Sequence, residues 1–312
     1  MNWKYLSFGI IISILLTGCV SFSSSQKIDL NNDFNFNGRR LSEPQEFEMI
    51  SKAITFDSDN NPNTITLRLN LHATPIYSSN STVFKYTCNY FSYQKEKSQE
   101  IELVSLKNWS YRFTESGIDS NNQVFGIDHH IFDNLTDPSG NDLDISIKYS
   151  VYNAFIDFHS LTDLFAQPTS TGSGIQNLKH IGDQIIHTAA YTKAPTHLGK
   201  SLKDGSYFKN GKITLNLEGL SIINNRHSAI IGYDSGTSSF EMIMQLAPDF
   251  EVITTGSSHY FGNIHKDLND NWVNKVSLKE IVISQTIIPP PAQNKINATI
   301  MRNITIDRVF KP

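Results

Sequence analysis

The chain lacks most of the features that assign a chemistry at sight. It has no run of basic residues, and its 26 Lys and Arg against 30 Asp and Glu leave a net charge of −4. That balance argues against nucleic acid or an anionic lipid surface as partner. There is no glycine-rich phosphate loop, no G-x-S-x-G elbow, no H-E-x-x-H and no Cys/His zinc pattern. Cysteine is scarce: Cys19 and Cys88 are the only two, too few for a disulfide framework. The one long apolar run, Leu6 to Leu16, holds about a dozen residues and is too short to span a bilayer. What is present is material for a core. Hydrophobic content of 39% and aromatic content of 11% exclude a disordered chain, and 312 residues suffice for one large β domain or two of ordinary size.

The amino terminus carries the clearest signal. Lys4 is the only charged residue before the apolar run, and the run ends in Leu16, Thr17, Gly18 and Cys19. A basic start, a short apolar stretch and a small-residue site are the parts of a signal peptide. The Leu-Thr-Gly-Cys ending resembles the lipobox of bacterial lipoproteins. That resemblance implies a diacylglyceryl group on the Cys19 sulfur, cleavage before Cys19 so that residues 1–18 are removed, and acylation of the new amine. Two or three acyl chains, at about 0.8 kcal/mol per buried methylene, hold a protein at a membrane where one alone holds it reversibly. By the sorting pattern of the lipoproteins it resembles, Val20 after the cysteine implies the outer membrane. Residues 19–45 read as a polar, flexible tether, with Ser21 to Gln26 and the Asn-rich Asn31 to Asn37 low in hydrophobicity. The mature chain would carry a net charge of −5, and with Cys19 lipidated it can form no internal disulfide.

Downstream the pattern is mainly β, in an α+β arrangement of antiparallel meander sheets. Residues 46–166 form a β-rich region ending in a helix. In "TITLRLNLHAT" Ile65, Leu67, Leu69 and Leu71 alternate with polar residues. In "TVFKYTCNYF" Phe84, Tyr86, Cys88 and Tyr90 share one face, which makes Cys88 a small core residue among aromatics. The period then becomes helical, with Ala154, Phe155, Phe158, Leu161, Leu164 and Phe165 on one stripe. After the linker "QPTSTGSG", residues 175–312 are expected to hold a second helix, striped by Ile175, Leu178, Ile181, Ile185 and Ala189, and a six-stranded antiparallel sheet. The turns are Asn224–Asn225, "DSGT", "APD", "LNDN" and "PPPAQN", too short for anything but antiparallel pairing. A shift of the apolar set from Val276 and Leu278 to Ile281 and Ile283 predicts a β-bulge near Lys279–Glu280. The expected architecture is a curved C-terminal sheet or half-barrel packed with one or two amphipathic helices.

Histidine clusters are the candidates for chemistry. His180 and His187, with Asp183 between them, stack on the polar side of the expected second helix and read as a solvated face. Asp128, His129 and His130 stand together in "GIDHHIF", but neighbours on a strand face opposite ways, so a bend would be needed to bring both imidazoles to one ion. Asp157, His159 and Asp163 follow routine helix-surface spacing. His259 and His265 share a strand face about 20 Å apart, too far to share a metal. "GYDSGT" offers Asp234, Ser235 and Gly236, which turn chemistry explains without catalysis. Trp272 starts a strand and is either a core anchor or the rim of a ligand cavity.

The expectation is therefore a non-catalytic lipoprotein of the bacterial cell envelope, with no cofactor beyond the lipid on Cys19. Its β body would bind a hydrophobic ligand or an envelope protein. The alternatives are an envelope hydrolase or metal-dependent enzyme built on His and Asp, or a surface-exposed lipoprotein that engages a host or environmental molecule. Cys19→Ser is expected to abolish lipid modification and release the chain from the membrane fraction; an unchanged membrane pool refutes the anchor.

Overall fold

Alternating apolar and polar residues place strands along most of the chain, and all of them join a single sheet. The computed structural model describes residues 33–56, 61–77, 82–114, 123–194, 202–247, 250–291 and 293–310. Leu16, Thr17, Gly18 and Cys19 lie outside the described residues. In chain order the first strands are β1 (Gln45–Phe56), β2 (Pro62–Tyr77), β3 (Thr82–Lys95), β4 (Ile101–Glu102) and β5 (Ser110–Arg112). Two helices follow, a single turn α1 (His130–Asp133) and α2 (Ile145–His159), the latter prolonged by one π turn over Ser160–Leu164. Short strands β6 (Gln184–Ile186), β7 (Lys193–Ala194) and β8 (Tyr207–Lys209) precede six long ones. These are β9 (Thr214–Ile223), β10 (Arg226–Asp234), β11 (Ser238–Ala247), β12 (Phe250–Asp267), β13 (Val273–Ile288) and β14 (Asn294–Val309).

The sheet has 14 strands in the order β4-β3-β2-β1-β14-β13-β12-β10-β9-β6, with β11 on β12 and β8 on β11. All pairings between the long strands are antiparallel, and the sheet does not close. The two β-rich stretches are thus one structure: β1 pairs with β14 from Glu46↔Val309 to Phe56↔Thr299, and Asp33 to Pro312 form one compact unit. Short strands at both edges present little unpaired backbone, which blunts the edges against association.

Aromatic side chains make α2 dock on this sheet. Phe155 stacks on Phe91 at 5.7 Å and meets Trp109 edge-on, while Phe158 packs edge-on against Phe47 and Tyr86. Under the helix, side chains of one parity form rows across the strands. One row runs Leu69, Met49, Ile306, Val276, Ile264, Ile231 and Leu217, nearly all of it closed to water.

Four local expectations change. The second helix does not form. Gly182 takes φ +97°, and the Asp183 carboxylate accepts the amide hydrogens of Lys179 and His180. One 3₁₀ turn, Ile175–Asn177, therefore gives way to β6. The bulge at Lys279–Glu280 is absent, since β13 keeps unbroken register with β14 there. Glu280 faces inward, and Ile281 and Ile283 face outward. A bulge does occur in β3 at Asn89, where Asn70 opposes Tyr90 and Leu71 opposes Cys88. It turns Tyr90 out of the core and brings Phe91 in. "DSGT" is not a reversal either: β10 and β11 both run antiparallel to β12, Asp234 opposite Phe261 and Ser238 opposite Ser258. They are one long strand kinked at Ser235–Thr237, where Gly236 has φ +57°.

Gly262 sits on β12 where Tyr233 crosses to donate its hydroxyl hydrogen to the Ser277 carbonyl at 3.0 Å. A Cβ at Gly262 would collide with both the Ser277 oxygen and the Tyr233 hydroxyl. Gly262→Ala is expected to cost about 1–3 kcal/mol by overpacking, read as a drop of several degrees in Tm; an unchanged Tm contradicts this packing.

Candidate functional site

Three polar clusters and one groove hold the residues of interest. The first cluster is sealed beneath the helix. Residues 33–44, expected as the end of a flexible tether, instead pack as a strap: Phe36 is buried, the Leu41 amide donates to Asp270 O, and Trp272 Nε1 donates to Leu41 O at 2.9 Å. The strap delivers Arg40 to the interior. Its guanidinium lies 4.6 Å from the Trp272 ring centroid and 5.1 Å from that of Phe84, pairs with Asp163 Oδ1 and reaches the Tyr86 hydroxyl at 3.2 Å. Asp163 Oδ2 faces His159 Nδ1 at 2.8 Å, and His159 Nε2 faces the Tyr111 hydroxyl at 2.7 Å. Their spacing of four residues sets Asp163 one turn beyond His159 on the same side of the helix.

Tyr111, His159 and Asp163 copy the order of a hydroxyl–imidazole–carboxylate relay, but the environment fixes every proton. Burial, only partly offset by Asp163, lowers the His159 pKa and keeps the ring neutral. Burial also raises Tyr111 well above the ordinary phenol value. Burial opposes the Asp163 charge, yet Arg40 and His159 outweigh it and hold the carboxylate ionised. Tyr111 therefore donates to Nε2, and Nδ1 donates to Asp163. His159 is closed to water. Close by, the fully buried Lys266 donates to Ala166 O, Asn271 O and Gln167 Oε1. Burial, with Arg40 adding to it, brings Lys266 down to about 7.

The second cluster joins helix to sheet. Arg302 on β14 holds Asp157 of α2 and Glu280 of β13, each at 2.6 Å, and Ser258 donates to Glu280. Burial is the main reason that the Asp157 pKa rises to about 6; Arg302 opposes the rise and Glu280 adds to it. Sequence periodicity missed Arg40, Lys266, Glu280 and Arg302. For Lys266, Glu280 and Arg302 the legible sign was inward parity, Glu280 continuing the spacing of Val276 and Leu278; Arg40 lies before β1 and carried no such sign.

The third cluster is the one a bend was needed to assemble. Gly126, at φ +78°, turns the chain into α1, so His129 and His130 point the same way with ring centroids 4.1 Å apart. One ligand atom from each of Asp128, His129 and His130 lies within 4.8 Å of the others.

The other histidines disperse. His180 is exposed and pairs with Asp33. His187, expected on a solvated face, is buried edge-on against Phe165, and burial lowers it to about 4. His259 pairs with Asp234 and His265 with Ser221. Ser235 is buried, its hydroxyl donating to Gly236 O and its backbone N–H to Tyr260 O. Cys88 is buried, and burial pushes its thiol up to about 12, leaving it inert. Trp272, at 1% exposure, is packed between Arg40, Phe47 and Phe84, away from any rim.

The groove lies on the sheet face turned away from α2. Phe56, Thr299, Ile283 and Ser257 are successive partners across β1, β14, β13 and β12. With Thr255, Gln285 and Asn297 they line an open groove of about 570 Å³. Ile54, Met301 and Ile281 form the next row along. Ile283 is 60% exposed and Ile281 45%. No protein-family model matches this chain, and no curated protein matches it.

Asp157 sets a pH dependence. Its native pKa lies above the unfolded value of about 3.9, so the native chain keeps a proton that the unfolded chain has released. Its contribution is complete below about pH 4 and is lost as pH rises through 6. The shift corresponds to at most about 3 kcal/mol, less because the side chain keeps 18% exposure. Asp157→Asn keeps an acceptor for Arg302 and cannot ionise. Between pH 4 and 7 the variant should therefore lose less stability to denaturant than the parent; parallel curves refute the assignment.

Proposed function

We propose that this chain is a non-catalytic, lipid-anchored protein of the bacterial cell envelope whose outward sheet face docks an apolar segment of an envelope protein. The observation that carries the reading is the run of Ile283, Ile281 and Met301 beside Phe56, left open to water among the described residues. Isoleucines exposed singly mean little. A contiguous apolar row bordered by Gln285, Asn297, Thr255 and Ser257 has the make-up of an interaction site, apolar in the middle and polar at its rim. Its openness favours a protein over a free lipid, because small-ligand pockets enclose most of the ligand's surface. The sealed Tyr111–His159–Asp163 relay supports the non-catalytic part of the reading, since substrate has no path to it. The anchor rests on the Leu16-Thr17-Gly18-Cys19 ending, and it would hold the groove at the membrane where envelope proteins are concentrated.

A photo-cross-linking residue at position 283 in intact cells is the test. It should give a discrete protein adduct, and the same residue at Lys275, outward on the same strand but far from the groove, should not. Ile283→Asp is expected to weaken that partner at least tenfold, about 1.4 kcal/mol. An adduct with lipid alone would favour a hydrophobic ligand instead, and equal labelling from both positions overturns the docking face.

A further inference from the structure

We propose that Asp128, His129 and His130 bind one divalent transition-metal ion, with zinc the best fit. One ligand atom from each lies within 4.8 Å of the others. Ligands about 2.0–2.1 Å from a tetrahedral zinc are roughly 3.3 Å apart, so modest side-chain rotation brings the three onto one ion. Consecutive residues on a strand could not do this. Here the turn at Phe125–Gly126, both at positive φ, feeds directly into α1 and gathers the side chains on one side.

The ligand-bearing segment is held from both ends, as a binding site requires. Upstream, Val124, Phe125 and Ile127 are buried, with the Phe125 ring stacked 6.0 Å from Phe113. Gly126 packs so tightly on the Arg112 carbonyl that no Cβ fits. Downstream, Phe132 is buried edge-on against Trp109 at 5.6 Å.

Polar contacts orient the ligands as well. Asp128 Oδ1 accepts the His130 backbone N–H at 3.0 Å, which fixes its carboxylate. Asp133 Oδ2 lies 3.3 Å from His130 Nδ1. A carboxylate behind an imidazole fixes the tautomer and makes the far nitrogen a better donor, so His130 would coordinate through Nε2 with Asp133 as a positioning residue. Two imidazoles and one carboxylate suit zinc and its neighbours and not calcium or magnesium, which select all-oxygen shells. The His130 side chain is 61% exposed, so an ion can enter from solvent, and three protein ligands leave a fourth position to water.

Calorimetric titration of the chelator-treated full chain with Zn²⁺ is expected to show one saturable site, and Co²⁺ in its place should give the visible absorption of a four-coordinate ion. Asp128→Asn and His130→Ala should each weaken zinc at least tenfold. Asp133→Asn should weaken it about 10–100-fold and shift the Co²⁺ bands. His180→Ala, at an exposed imidazole elsewhere, should change nothing. Thermal melts matching the parent show that each variant is folded, and the isosteric Asp133→Asn remains informative if His129→Ala does not fold. Absence of saturable uptake by the parent overturns the site. So does undiminished uptake by the His129→Ala/His130→Ala double variant.

Discussion

The fold turns on one cation held out of water. Arg40 sits among the rings of Trp272, Phe84 and Phe113 with Asp163 as its counter-ion. Through these contacts three otherwise separate pieces are tied together: the strap, the π turn after α2, and the β12–β13 hairpin. A desolvated guanidinium over aromatic faces gains about 2 kcal/mol, but its removal would be felt more strongly. It would leave the Asp163 carboxylate buried with only His159 and Thr162 beside it, a loss of about 3–5 kcal/mol. Lys266 reinforces the same junction by donating to backbone carbonyls on both sides of it. The charges therefore act as fasteners between these pieces.

Periodicity in the sequence disclosed this architecture unevenly, for physical reasons. Period two located the long strands from β9 to β14, because one face of each is packed and the other is wet over most of its length. It misjudged places where a backbone feature overrides the pattern. Gly182 in the left-handed region ended a helix that the apolar stripe of Ile175 and Leu178 favoured, and the extra residue Asn89 exchanged Tyr90 for Phe91 in the core. Charged residues at inward positions were hidden for a different reason. Glu280 and Arg302 are legible as interior only when each strand's facing is known, and their mutual pairing spans 22 residues of sequence. Asp128, His129 and His130 were visible as a cluster but not as a convergence, which depended on the turn at Gly126.

The sheet also changes character along its length. Beneath α2 the inner face is apolar and the outer face polar. Beyond Arg302 and Glu280 the outer positions include the exposed Ile281, Ile283 and Met301, while the inner positions become mixed, with Ser284 and Thr286 beside Val282, Ile300 and Ala298. The charged cluster of Asp157, Arg302 and Glu280 marks that boundary. It closes the helix-covered core and frees the far end of the sheet to present apolar side chains outward. A strand pattern that looks like a register error is thus a division between a helix-covered end and an end whose outer face carries exposed apolar side chains.

The seam between β1 and β14 has a consequence for how the chain reaches this state. β1 lies near the beginning of the folded body and β14 at its end, with more than 240 residues between Phe56 and Thr299. Pairings of such long sequence separation form slowly, because a large loop must close before any contact rewards it. While the chain emerges from its amino terminus, β1 and β2 can form a hairpin but the other edge of β1 stays bare. That edge, with Phe47 and Met49 still uncovered, is a template for association with other chains until the last strand arrives. A sheet built this way completes its β1–β14 seam late, and it is most vulnerable to its neighbours until β14 is in place.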